Sequence, residues 1–189
     1  MTQALQSREN ALSLLREHVK NQNMLKHCLA SEAVLRALAR RLGEDEERWG
    51  LAGLLHDLDV ELVGGDMSAH GVKAREMLLA AGYPAELAQA VSMHNEKASG
   101  SKRSDRFHKA LAAGETITGL ITATALVYPD KKLASVKVSS IVKRMKEKAF
   151  AASVDRDIIR ECEDIGIPLQ DFAALALDAM RGISADLGL

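Results

Sequence analysis

The chain has 189 residues, with 25 basic against 26 acidic side chains, a net charge of −1 and 47% hydrophobic residues. That balance argues against binding nucleic acid or an anionic membrane through bulk charge, and the length suits one domain, 1–189, with a sizeable core. The two cysteines, Cys28 and Cys162, stand far apart with no CxxC spacing, which excludes a disulfide scaffold and points to a reduced, cytoplasmic setting.

Aromatic residues make up only 3%, there are three prolines, and helix formers dominate. No alternating Val/Ile/Thr run with hairpin turns occurs, so the expected fold class is all-α. Met1-Thr2-Gln3 is polar, without the basic-then-apolar order of a leader. No apolar run approaches the ~20 residues that span a bilayer.

In chain order, a first amphipathic helix is expected over 7–20, with Leu12, Leu15 and Val19 on one side. Asn23 is expected to cap a second helix over about 24–42. Its face reads Met24, Cys28, Ser31, Leu35, Leu38, Leu42, with His27 on the flank, and Gly43 is the stop. Asp45, followed by Glu46 and Glu47, opens a third helix, which runs through Leu51 to His56-Asp57 near its end.

After the loop Val63-Gly64-Gly65-Asp66, Ser68 is expected to cap a helix carrying His70. Pro84 opens the next helix, whose face Leu87, Ala90, Val91, His94 places a histidine where a core residue would stand. Asn95 to Ser104 reads as a loop. Asp105 caps a long helix to about Tyr128, with Glu115 among small residues. A basic helix over about 135–149, an acidic one over about 155–165 and a last apolar helix after Pro168 complete the chain. The basic run Lys131, Lys132, Lys137, Lys143, Arg144, Lys146, Lys148 reads as a solvated face beside the acidic stretch Asp155, Asp157, Glu161, Glu163, Asp164.

Five elements thus offer ligands from buried faces: His27, His56 with Asp57, His70, His94 and Glu115. Imidazole and carboxylate donors suit Fe, Mn, Ni, Co, Zn or Mg, not an all-thiolate site. Four imidazoles and two carboxylates exceed what one tetrahedral ion needs and fit two ions sharing a carboxylate, for which Asp57 is the natural choice.

The pattern His27, His56-Asp57, His70, His94, Glu115 resembles the HD-domain superfamily of metal-dependent phosphohydrolases. The local text is also similar: Gly53-Leu54-Leu55-His56-Asp57-Leu58-Asp59, Ala69-His70-Gly71, His94-Asn95-Glu96 and Thr118-Gly119-Leu120. The resemblance covers about 24–128 and extends through Leu133 toward an HDIG-type bacterial subgroup. It implies an all-α bundle with the ions in its core. It implies His27, His56, Asp57 and Glu115 on one ion, and Asp57 bridging to a second held by His70 and His94. Two departures stand out: Glu115 replaces the usual aspartate, and Asp59-Val60 replaces the usual Gly-Lys.

The expected activity is hydrolysis of a small phosphorylated substrate, a nucleotide among the options, by a metal-activated water. Asp57 is central to that chemistry, Asp59 and Glu96 are candidate proton relays, and Lys73, Lys97, Lys102 and Arg103 are candidate phosphate contacts. Two alternatives stay open: a di-iron oxygenase, because inositol-oxygenase-like HD proteins are similar to the same six-residue pattern, and a ligand-binding protein that has lost activity.

Overall fold

The structure, a computed structural model, describes residues 6–189; Met1-Thr2-Gln3 lie outside the described residues. The fold is all-α, with no strand among the described residues. Among the described residues eleven α-helices follow in order: α1 (Arg8–His18), α2 (Gln22–Leu42), α3 (Glu46–Leu55), α4 (Val72–Ala80), α5 (Ala85–Met93), α6 (Glu96–Ser99), α7 (Arg106–Leu126), α8 (Val138–Arg144), α9 (Arg156–Asp164), α10 (Leu169–Gly182) and α11 (Ser184–Leu187).

The two longest helices, α2 and α7, form the centre. α3 and α10 pack on α2, and α9 packs on α7. Small residues allow the close approaches. A Cβ on Gly53 would lie 2.7 Å from the Ser31 carbonyl oxygen, so α3 meets the backbone of α2 only through a glycine. A Cβ on Gly114 would lie 2.6 Å from Leu35 Cδ2, which explains the small-residue middle of α7. Trp49 stacks on Phe107 with ring centroids 5.1 Å apart and ties the starts of α3 and α7 together. Cys28, Ser31, Leu35 and Leu38 are buried along the expected face of α2, with Met24 and Leu42 half-buried at its ends.

Caps fix the boundaries. Asp45 accepts from Arg48 N, and Asp105 from Phe107 N, as expected. α2 starts earlier than expected: Asn21, not Asn23, caps it by accepting from Asn23 N and Met24 N. Ser68 caps nothing; its amide and hydroxyl bond Asp66, and α4 begins only at Val72. The segment after His94 contains the short helix α6.

The basic helix is also shorter than its pattern. α8 ends at Arg144, and turns follow to α9. Arg156 gathers those turns by donating to the carbonyls of Glu147, Phe150, Ala151 and Val154. Side-chain bonds of this kind to turn carbonyls override helix propensity. Nor do the basic and acidic runs pair with each other: Glu161 binds Arg103 and Asp164 binds Lys109, while Lys143 and Arg144 bind Glu147.

Candidate metal centre

The buried run Leu51, Ala52, Leu54, Leu55 carries α3 into the core. The helix stops at Leu55, so His56 and Asp57 sit on the first turn beyond it, 1% and 6% exposed. The other donors converge on Asp57 from separate elements. His27 comes from α2, His70 from the turn before α4, His94 from the C-terminal end of α5, and Glu115 from the middle of α7.

Each imidazole is held by its Nδ1. His56 Nδ1 donates to Gly53 O at 2.8 Å, and His94 Nδ1 to Val91 O at 2.6 Å. His70 Nδ1 donates to Asp59 Oδ1 at 2.8 Å. His27 Nδ1 lies 2.9 Å from Thr118 Oγ1. That hydroxyl already donates to Glu115 O at 2.7 Å, so it accepts from the imidazole. This network assigns every outward nitrogen as N–H. All four Nε2 atoms therefore turn inward.

They divide evenly over the Asp57 carboxylate. His27 and His56 Nε2 lie 3.6 and 3.4 Å from Oδ2. His70 and His94 Nε2 lie 3.3 and 3.7 Å from Oδ1. Within the pairs the Nε2 atoms face each other at 3.1 Å (His27 and His56) and 2.9 Å (His70 and His94). Two inward lone pairs that close need a positive charge between them. The sets His27, His56, Asp57 and Asp57, His70, His94 each bring three donor atoms close enough together for one ion, and the Nδ1 partners are the outer hydrogen bonds that metal-ligating histidines ordinarily carry. The residues thus fit divalent metal ions: each set could hold one, and Asp57 belongs to both.

Titration behaviour agrees with that geometry. Burial favours the neutral ring at His56, but Asp57 overrides it and raises the pKa to about 9. At His70 burial is likewise overridden, by Asp57 and Asp59, and the value rises to about 10. Burial and the neighbouring His56 charge push His27 down to about 4 and His94 to about 3. Without metal, one imidazole of each pair holds a proton where the pair would otherwise share an ion. Asp57 is buried, yet the surrounding histidines keep its carboxyl well below the usual carboxylate range.

Glu115 Oε2 lies 3.7 Å from His27 Nε2. It belongs to neither compact three-donor set, and its carboxyl leans toward Thr116. Burial raises its pKa to about 7. The carboxylate therefore stands beside the His27–His56 pair rather than inside it.

Asp59 does not stand where a proton relay would. It is fully buried, is absent from the cavity wall, and accepts from His70 Nδ1, Gly71 N and Ala74 N. It therefore caps α4 from a distance, in the place expected for Ser68, while fixing the His70 ring. Gly71 serves the same corner. Its φ is +84°, and a Cβ there would crowd His94 Cε1 at 3.3 Å. Asp59→Ala is expected to weaken metal affinity by ~10–100-fold, the usual cost of losing an outer-shell partner. Metal titration of the folded variant checks this, and unchanged affinity would refute it.

The centre opens into a cavity of about 710 Å³. Glu96, Lys97 and Arg103 line it; Lys73 and Lys102 do not. Lys73 pairs with Glu76 at 2.8 Å on the surface. Arg103 is not available to a phosphate. Its Nε and Nη2 hold Glu161 at 2.8 and 2.5 Å, and its Nη1 caps α5 at Met93 O and His94 O, 3.0 and 3.3 Å away. Glu96 Oε1 accepts from Arg103 N at 2.6 Å.

Two contributing residues escaped the reading of the sequence. Thr118 holds the His27 ring through its hydroxyl. Asn95 ties the two halves of the second pair together by donating to Met67 O and His70 O. Their signal was adjacency, since each stands one to three residues from a ligand.

Among the described residues no helix is long and apolar enough to cross a membrane. No curated protein matches the chain. The model of the HD domain family matches residues 24–159, which carries the resemblance past Tyr128 into α9. With that match spanning most of its length and the histidine-aspartate cluster at its core, the chain belongs to the HD domain family.

Proposed function

We propose that the protein is a metal-dependent phosphohydrolase acting on a small phosphorylated substrate, a nucleotide among the candidates, in the cytoplasm. The observation that supports this most is the even division of the Asp57 carboxylate between two imidazole pairs at the floor of an open cavity. Divalent ions bound there supply Lewis acidity toward phosphoryl oxygens and make water a better nucleophile near neutral pH.

The chain's own residues do the rest. His27, His56, Asp57, His70 and His94 hold two ions, with Glu115 at the edge of the first. Lys97, exposed on the cavity wall and in no ion pair among the described residues, contacts the substrate phosphate. Glu96, whose Oε2 makes no hydrogen bond among the described residues, stands beside it and carries protons to or from the leaving group. The ions are two of Fe, Mn, Ni, Co, Zn or Mg, because this donor set accepts each of them.

The test is elemental analysis of purified protein, joined to turnover of a broad phosphoester panel with added Mn, Co or Ni. Two ions per chain and hydrolysis of at least one ester are expected. Absence of turnover with every ester and metal would remove the reading.

A further inference from the structure

A second cavity of about 550 Å³ adjoins the first, and the two share the wall formed by Ser153, Val154, Asp155 and Asp157. Its character is different. Lys146, Lys148, Arg156 and Arg160 line it. Arg156 is consumed by the carbonyls of the 147–154 turns. Lys146 and Lys148 are exposed and join no ion pair among the described residues, because Glu147 between them is taken by Lys143 and Arg144. Among the described residues Arg160 has only a loose partner, Glu163 at 3.8 Å.

The break in the basic helix after Arg144 produces this arrangement. Turns, not a helix face, deliver Lys146 and Lys148 to the cavity that shares a wall with the metal centre's. On the shared wall, the Asp155 carboxylate is spent on capping α9 through Asp157 N and Ile158 N. Asp157 is the wall acid left without a partner among the described residues. A Cβ on Gly119, one turn beyond Glu115, would lie 3.4 Å from Val154 Cγ2, so α7 connects the metal centre directly to this wall.

We infer that the basic groove is an anion subsite for the distal end of the substrate. The substrate is then a small molecule with two separated anionic groups, one at the Asp57 centre and one between Lys146, Lys148 and Arg160. The identity of the ligand as substrate rests on the phosphohydrolase reading; the groove's affinity for a polyanion does not.

Calorimetric titration of inorganic tripolyphosphate into the full chain, as purified and after chelation, tests the groove. Binding is expected in both states. It weakens by about tenfold or more in the Lys146→Glu, Lys148→Glu double variant, as loss of charge-assisted contacts requires, and tightens in Asp157→Asn. No binding by the wild type, or equal binding by the double variant, overturns the proposal. A ten-nucleotide single strand that binds through the same lysines far more tightly than tripolyphosphate also overturns it, in favour of nucleic acid.

With turnover in hand, the double variant raises KM for a nucleoside 3′,5′-bisphosphate about tenfold more than for p-nitrophenyl phosphate, the scale of a lost charged contact. Equal effects on both refute a subsite for the substrate. Absence of all turnover refutes the phosphohydrolase reading, and the calorimetry still decides the groove.

Discussion

Asp57→Ala is expected to abolish the two-ion site, with metal affinity falling by more than the ~100-fold that an outer-shell partner can cost, and phosphoester turnover falling to background. The reason is that both donor sets contain Asp57. Removal of any one histidine takes a donor from one set, whereas this substitution takes one from both. The same carboxylate holds His56 up to about 9 and His70 up to about 10. In the wild type those two rings are charged before metal arrives and must be neutral to ligate. Metal uptake near pH 7.5 therefore releases up to about two protons. Affinity rises as pH increases from 6 toward 9, because each proton lost removes a competitor for Nε2. Titration in buffers of different ionisation enthalpy, with elemental analysis, checks both statements. An Asp57→Ala protein that retains two ions would refute the bridging assignment.

The second large effect falls on stability. Arg103→Ala removes the guanidinium from a buried clamp, with the Arg103 side chain 4% and Glu161 20% exposed. It leaves Glu161 unpaired and the Met93 and His94 carbonyls without their donor. Breaking a buried pair on one side costs roughly 3–5 kcal/mol; the exposed edge of Glu161 draws the figure toward the lower end. At ~2–4 °C per kcal/mol for a chain of this size, Tm falls by roughly 6–12 °C. Arg103→Lys does not restore it, because one ammonium cannot reproduce the bidentate grip. Replacing both partners by apolar residues recovers most of the loss. A single variant that melts with the wild type would show that the pair contributes nothing, and would return Arg103 to the substrate contacts.

These two residues mark what the sequence does and does not reveal. The candidate donors were legible because His27 and Glu115 lie in helices and His94 at the end of one, where the apolar pattern marks the buried side, and because an adjacent His-Asp pair is costly to bury without a cation. Caps such as Asp45 and Asp105 were legible because the signal lies within three residues. Arg103 was misread because its partner Glu161 stands 58 positions away and only tertiary packing joins them. Asp59 was misread for the same reason: the amides that it caps belong to a helix more than ten residues on. The basic run keeps a helical pattern past Arg144, but the chain turns there, and the Arg156 guanidinium holds those turns through four of their carbonyls.

The inward convergence of the four imidazoles has a consequence for folding. The paired rings lie 29 and 24 residues apart in the chain, so an ion held by either pair would be a reversible cross-link closing one long loop, and the shared carboxylate would fasten the two loops to each other. Stability is then linked to free metal concentration: an ion at 100 times its Kd contributes about 2.7 kcal/mol to the folded state. On the proposed reading, chelation would loosen α2, α4 and α5 together, because ions held by these donors would also hold the centre of the bundle closed.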